Sequence, residues 1–232
     1  MATTIRLRKM RLRMRHLHGK FLVVDGPEGS GKSTQTHLLH SRLLSSNVDV
    51  LLLRDPGSTR IGEQIRQILL NPENTDMSMR CEMLLYMASR AQLISEKIIP
   101  ALAAGKLVLC DRFVSSTLAY QLHGDSLSAA DIRQVADIAI KQRWPDLTIL
   151  FDLPVQLSSS RVRPKFTLFP DDPDAGMEKD RIEQRPLDYH EKVRQNYLAQ
   201  AAADPSHYRV LDASRPAEVI HEELWSILSS FR

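Results

Sequence analysis

The sequence predicts an α/β fold: a five-stranded parallel sheet with helices on both faces and a mobile lid. Three observations carry this. Short apolar runs recur at 21–25 (FLVVD), 48–53 (VDVLLL), 107–110 (LVLC), 147–151 (LTILF) and 208–211 (YRVL). They are mostly continuous rather than alternating, as strands buried on both faces require. Helical patterns lie between them at 32–46, 60–70, 79–103, 127–142, 184–202 and 216–230, and such strand–helix alternation gives parallel strands. The first strand also runs straight into a Gly-rich turn and a helix.

The stretch 164–177 (PKFTLFPDDPDAGM), with three prolines, three Asp and a Gly, fits neither element type. A loop of that length inside a compact domain is disordered or functional, and we place a lid over about 155–182. No repeat and no interdomain linker is evident, so residues 20–232 read as one domain. At 232 residues, with 43% apolar and 25% charged side chains, the chain can bury a core without covalent staples. Two cysteines, Cys81 and Cys110, are too few for a disulfide framework. No apolar run approaches membrane-span length and no secretory segment is seen, which predicts a cytoplasmic protein with free thiols.

The net charge of +3 is unevenly placed. Residues 1–20 hold Arg6, Arg8, Lys9, Arg11, Arg13, Arg15 and Lys20 and no acid; the body beyond them has 24 bases against 28 acids. We read residues 1–19 as a disordered, solvated extension. A polyanion-binding arm and a targeting peptide are the weaker alternatives, so nucleic-acid contact through the tail is not expected. The period-two run Ile5-Arg6-Leu7-Arg8 argues against an amphipathic targeting helix.

Function begins at Gly26-Pro27-Glu28-Gly29-Ser30-Gly31-Lys32-Ser33, which fits G-x-x-x-x-G-K-[ST] between a strand and a helix. Gly26, Gly29 and Gly31 let the backbone approach phosphate. Successive N–H groups around Ser30, with the helix start at Ser33 and Thr34, form an anion nest. Lys32 supplies a cation for β- and γ-phosphates and Ser33 a hydroxyl for Mg²⁺. A ligand-free Gly-rich turn is the bland alternative, and the strand and helix on either side weigh against it. Asp111 and Arg112 follow a buried strand where ligands collect in such sheets, giving a candidate Mg²⁺ group and a phosphate clamp. A plain surface ion pair is the competing reading.

The loop alone does not name a substrate. No Asn-Lys dipeptide and no D-x-x-G is present, which disfavours a GTPase switch. Arg54-Asp55-Pro56-Gly57-Ser58-Thr59 offers a base and a turn before a helix, a plausible second phosphate site. Tyr86 and Arg90 share a helix face, an aromatic plane beside a guanidinium, although core packing explains such a pair equally well. Ser115 to Gln121 supplies hydroxyls and an amide able to read a pyrimidine edge, or merely a capped helix start.

Taken in order, GPEGSGKST, RDPGST, LLYMASRAQ, DRFVSSTLAYQ and DRIEQ closely resemble the thymidylate (dTMP) kinase family, nearer its bacterial branch, from about residue 20 to 230. The resemblance implies a phosphate-loop kinase fold, ATP and dTMP as substrates, Mg²⁺ and a homodimer. It implies that Glu28 contacts the acceptor sugar and that Arg54 and Arg112 hold the acceptor phosphate. Tyr86 then stacks on thymine, Arg90 bonds the base edge, and Thr117, Tyr120 and Gln121 add base and sugar contacts. Arg161 stacks on adenine, and Asp180 and Glu183 lie near the acceptor sugar and metal, although Asp180-x-x-Glu183 also reads as a cap. Pro27, Glu28, Gly29 and Ser30 include no base, so the phosphate loop lacks the arginine of the animal type, and the resemblance moves that catalytic cation into the lid, where Arg163 is preferred over Lys165 and Lys179. Ser58 departs from the common Pro-Gly-Gly-Thr. Two other readings stand beside this: a kinase for another nucleotide or deoxynucleoside, and a nucleic-acid-associated ATPase.

Overall fold

The five apolar runs become β1 (Phe21–Asp25), β2 (Val50–Arg54), β3 (Leu107–Asp111), β4 (Leu147–Asp152) and β5 (Tyr208–Asp212). They form one sheet of order β2-β3-β1-β4-β5, every pair parallel. The computed structural model describes residues 14–122, 126–161 and 180–231, without the side chains of 159–161. β1 is central and wholly buried. Its alternate residues feed two cores: Leu22 and Val24 face one, Phe21 and Val23 the other.

The helices are α1 (Lys32–Ser45), α2 (Arg60–Leu70), α3 (Met79–Leu93), α4 (Ile99–Ala103), α5 (Val114–Tyr120), α6 (Ala129–Ile140), α7 (Val155–Arg161), α8 (Leu187–Ala203) and α9 (Ala217–Ser230). α1 and α9 cover the first core, the latter burying Ile220, Leu224 and Leu228 at helical spacing. α3 and α6 cover the second. The helix expected over 79–103 is continuous in direction but passes through a π turn at Ile94–Ile98. The helix expected from 184 starts at Leu187, because Pro186 occupies its N-cap and Asp180–Gln184 forms a separate turn. Ser128 closes a capping box with Asp131 at the start of α6.

Two boundaries change what the sequence reading implied. Each strand ends on a charged residue: Asp25, Arg54, Asp111, Asp152 and Asp212. Four of these lie beyond the apolar runs, so the strand ends reach into the functional edge of the sheet. The extension also ends earlier than residue 19. Met14, which precedes a 3₁₀ turn at Arg15–Leu17, and Leu17, which ends it, are buried in the first core, and the His16 ring bonds the Leu228 carbonyl at 2.8 Å. The charge of this stretch masked its apolar spacing; residues 1–13 lie outside the described residues. Removing residues 1–18 should therefore lower unfolding free energy by about 2–5 kcal/mol relative to removing 1–13, measured by urea denaturation. Equal stabilities would mean that the two side chains add nothing.

Candidate active site

The phosphate loop leaves β1 at the middle of the sheet, where strand order reverses and crevices form. Two of its glycines are required by close approach. A side chain on Gly26 (φ +141°) would run into the Phe151 carbonyl, and one on Gly29 (φ +66°) would sit 2.8 Å from the Ser158 carbonyl oxygen. Gly31, also left-handed at φ +85°, caps α1. Ser30 donates to the Pro27 carbonyl at 2.8 Å, closing the loop on itself. Ser33 and Thr34 open α1, Thr34 exposed and Ser33 half-buried.

Lys32 is buried, and its ammonium rests on the Pro27 carbonyl oxygen at 2.6 Å. Burial and the nearby Arg112 charge push its pKa down to about 8 against the pull of Glu28, Asp111 and Asp25. Burial works against ionisation of Glu28 too, but Arg112, Lys32 and the Tyr120 hydroxyl outweigh it and hold the carboxyl at about 2. Glu28 is thus an anion inside an anion nest, clamped by Arg112 at 2.8 Å and Tyr120 at 2.6 Å.

Arg112 stands one residue past β3 in the left-handed region (φ +67°), with its N–H on the Val24 carbonyl at 2.9 Å. That geometry turns its guanidinium back over β1, where it also meets the Gly26 carbonyl at 3.1 Å and Asp25 at 3.3 Å. Asp25 was missed by the sequence reading. It is fully buried and accepts from Gly26 N–H (2.8 Å), Ser115 (2.5 Å), Ser116 (2.8 Å) and Tyr197 (2.6 Å) besides Arg112. Its only sequence signal was its place at the end of the first strand. Asp111 ends β3 half-buried, and burial raises its carboxyl against the opposing charges of Lys32 and Arg112.

Across the crevice, Arg54 ends β2 and pairs with Glu63 at 2.8 Å. Ser58 keeps the turn despite replacing glycine. It sits at φ +61°, accepts the Arg54 N–H on its hydroxyl at 2.8 Å, and donates its own N–H to Glu63 at 2.6 Å. Arg90 is buried and reaches Asp55 at 2.5 Å, the Phe113 carbonyl at 3.0 Å and Thr117 at 3.3 Å. Asp55, also missed, is driven up by burial while Arg90 opposes the rise. Tyr86 lies one turn before Arg90 and is partly exposed. Gln121 donates to Glu82 at 2.7 Å.

The structure therefore brings Arg112 and Tyr120 onto the Glu28 carboxylate, with the Lys32 charge nearby, and sets Arg90, Thr117 and Gln121 along the facing helices. Asp180 and Glu183 are brought to each other, with Asp180 close enough to Tyr86 for its charge to be felt there. Asp180 accepts from the Ile182 and Glu183 N–H groups at 2.9 Å, and Glu183 accepts the Asp180 N–H at 3.0 Å, the reciprocal cap that their spacing also allowed. The readings of Arg163, Lys165 and Lys179 and of the Arg161 side chain lie outside the described residues. On α7, Ser158 bonds the Glu28 carbonyl at 2.6 Å, and Arg181 bonds the Leu69 carbonyl at 3.1 Å.

A phosphate loop at the switch point of a five-stranded parallel sheet, faced by arginines at the ends of β2 and β3, defines a phosphate-loop nucleotide kinase. The thymidylate kinase family model matches residues 24–224. The thymidylate kinase of Desulforudis audaxviator is 44% identical over 211 residues, 90% of each chain. That of Ectopseudomonas mendocina is 42% identical over 212 residues, 91% of this chain and 96% of the relative. A crystal structure of thymidylate kinase from Ehrlichia chaffeensis matches with a TM-score of 0.68 at 27% identity, covering 90% of this chain and 98% of that one. The chain belongs to the thymidylate kinase family.

Proposed function

We propose that this protein transfers the γ-phosphoryl group of ATP to dTMP, giving dTDP and ADP on the route to dTTP. The observation that carries the reading is Glu28: a phosphate-loop carboxylate held by Arg112 and Tyr120, so that donor and acceptor elements meet at one point. The bond from the γ-phosphorus to ADP breaks as one to a dTMP phosphate oxygen forms. The acceptor oxygen is already anionic, so no general base is required, and catalysis reduces to alignment and charge neutralisation. Lys32 and Arg112 are placed for this from the loop and from β3, and Arg163 is our choice for the lid cation. Gly26, Gly29, Ser30, Gly31, Ser33 and Thr34 cradle the triphosphate, and Arg161 is assigned to the adenine. Arg54 and Arg112 take the acceptor phosphate, and Tyr86, Arg90, Thr117 and Gln121 take the base. Asp180 and Glu183, which cap each other, are assigned to the acceptor sugar and the metal.

Mg²⁺, when bound with ATP, neutralises charge on the transferring phosphoryl. The donors fit it: Ser33 and Asp111 offer a hydroxyl and a carboxylate, and no cluster of three His, Cys, Asp or Glu side chains suited to a metal occurs among the described residues. That sparse oxygen set suits an ion that keeps its waters and takes ligands from substrate phosphates. Among the described residues no helix is long and apolar enough to cross a membrane. We assign the activity to the cytoplasm. Ile61 and Ile68 on α2 and Leu84 on α3 are exposed apolar side chains, which we assign to contacts of a homodimer, tested by sedimentation.

The decisive experiment is an acceptor panel of dTMP, dUMP, dCMP, dGMP and AMP with MgATP. Preference for dTMP supports the reading and preference for a purine overturns it. ATP turnover stimulated by DNA or RNA but not by dTMP would move the protein to another class. A further expectation follows from the depressed Lys32 pKa. Its ammonium is lost as pH rises through about 8 in the free protein, so kcat/KM for ATP should fall above that pH. The kcat profile should break at higher pH, because bound triphosphate favours the charged amine. A flat kcat/KM from pH 7 to 9.5 would detach Lys32 from triphosphate binding.

A further inference from the structure

α3 and α5 face each other through two polar rungs. Glu82, Tyr86 and Arg90 share one face of α3, at successive turns, while Thr117 and Gln121 stack one turn apart at the end of α5. Arg90 bonds Thr117 at 3.3 Å, and Gln121 Nε2 donates to Glu82 Oε1 at 2.7 Å. The Gln121 oxygen, buried, has no hydrogen-bond partner among the described residues. Glu82 is itself fully buried, and its other oxygen takes Arg185 at 2.7 Å and Arg181 at a shorter contact. Both arginines belong to the segment that returns from the lid.

We infer that Glu82 is a positioning residue that sets the hydrogen-bond polarity of Gln121, and through it the choice between thymine and cytosine. A carboxylate is acceptor-only, so Gln121 must turn its NH₂ toward Glu82 and leave its oxygen for the base site. Arg90, a donor-only guanidinium seated on Asp55, the Phe113 carbonyl and Thr117, stands one rung away. A donor followed by an acceptor complements a ring carbonyl followed by an imide N–H, the O4 and N3–H edge of thymine. Cytosine carries the inverse, an amino group followed by a bare ring nitrogen, and meets a donor with a donor and an acceptor with an acceptor. The inference rests on the acceptor-site reading above and deepens it. The two arginines are part of the device, since they hold the carboxylate in place from the side opposite Gln121.

The test is Glu82→Gln. Its single carbonyl oxygen should stay with Arg181 and Arg185, so its NH₂ faces Gln121 and forces that amide to invert. The dTMP-to-dCMP ratio of kcat/KM should then fall by about 10-fold or more, with dTMP losing and dCMP gaining. A merely structural role would lower both acceptors together and leave the ratio alone. Should Glu82→Gln fold poorly, the pair Glu82→Met/Arg181→Met removes opposite charges together and still frees Gln121 to rotate, so the ratio should again fall. An unchanged ratio in a folded variant overturns the inference while wild-type preference for dTMP still stands. Absence of that preference in the wild-type protein overturns the acceptor-site reading instead.

Discussion

Lys32→Ala is expected to lower kcat for dTMP phosphorylation by about 10³-fold or more while leaving the protein folded. Lys32 is buried with its ammonium on the Pro27 carbonyl at 2.6 Å, a neutral partner that only partly offsets the desolvation of the charge. The depressed pKa near 8 reports that shortfall. A cation held this way is poised to leave a backbone carbonyl for phosphate oxygens, whose charge serves it far better. The loop does not depend on Lys32 for its shape: Gly26, Gly29 and Gly31 fix the backbone, and Ser30 closes the turn on the same Pro27 carbonyl. Single-turnover rates with saturating ATP and dTMP, alongside thermal melts, separate the two effects. Half the wild-type kcat in the variant would remove Lys32 from phosphoryl transfer, and a collapse of the melt would make it structural.

The donor half of this site was legible in the sequence because its chemistry is local. Gly, Lys and Ser at fixed offsets between a strand and a helix specify a phosphate cradle with few contributions from elsewhere. The five apolar runs were legible for a similar reason: burial on both faces leaves a continuous pattern. What escaped was long-range. Asp25 gathers hydroxyls from Ser115, Ser116 and Tyr197, residues about 90 and 172 positions away, and a lone Asp after Val24 does not announce this. Glu82 reads as an ordinary first-turn acid of α3 until Arg181 and Arg185, 99 and 103 positions further on, meet it. Met14 and Leu17 were hidden by the arginines around them, because periodicity over so few residues is weak beside seven charges. The strand ends were clipped because a charged residue ends an apolar run, yet at the C-terminal edge of such a sheet it is where function begins.

Asp25→Ala is expected to cost about 3–5 kcal/mol of folding stability, the scale for removing one partner from a buried charged cluster. The carboxylate has no exposure and accepts from five donors on four parts of the chain: the phosphate loop, β3's end, α5 and α8. Ser116 and Tyr197 can fall back on each other, since their hydroxyls already lie 2.9 Å apart. Ser115 and the Gly26 N–H have no such alternative among these contacts, and each buried group left unpaired costs about 1–3 kcal/mol. Arg112 keeps Glu28 and the Gly26 carbonyl but loses the anchor beneath it, so the phosphate clamp can drift. A misplacement of about 1 Å at such a centre costs on the order of 10²-fold in rate. Asp25→Asn discriminates between charge and shape. Its amide keeps one acceptor but aims two donors at a cluster of donors, so it should recover little of the loss. Urea denaturation at pH 7, with kcat measured below the melting range, reads both effects. A loss under about 1 kcal/mol with normal kcat would show that Ser115, Ser116 and Tyr197 hold the loop and α8 together without the charge between them.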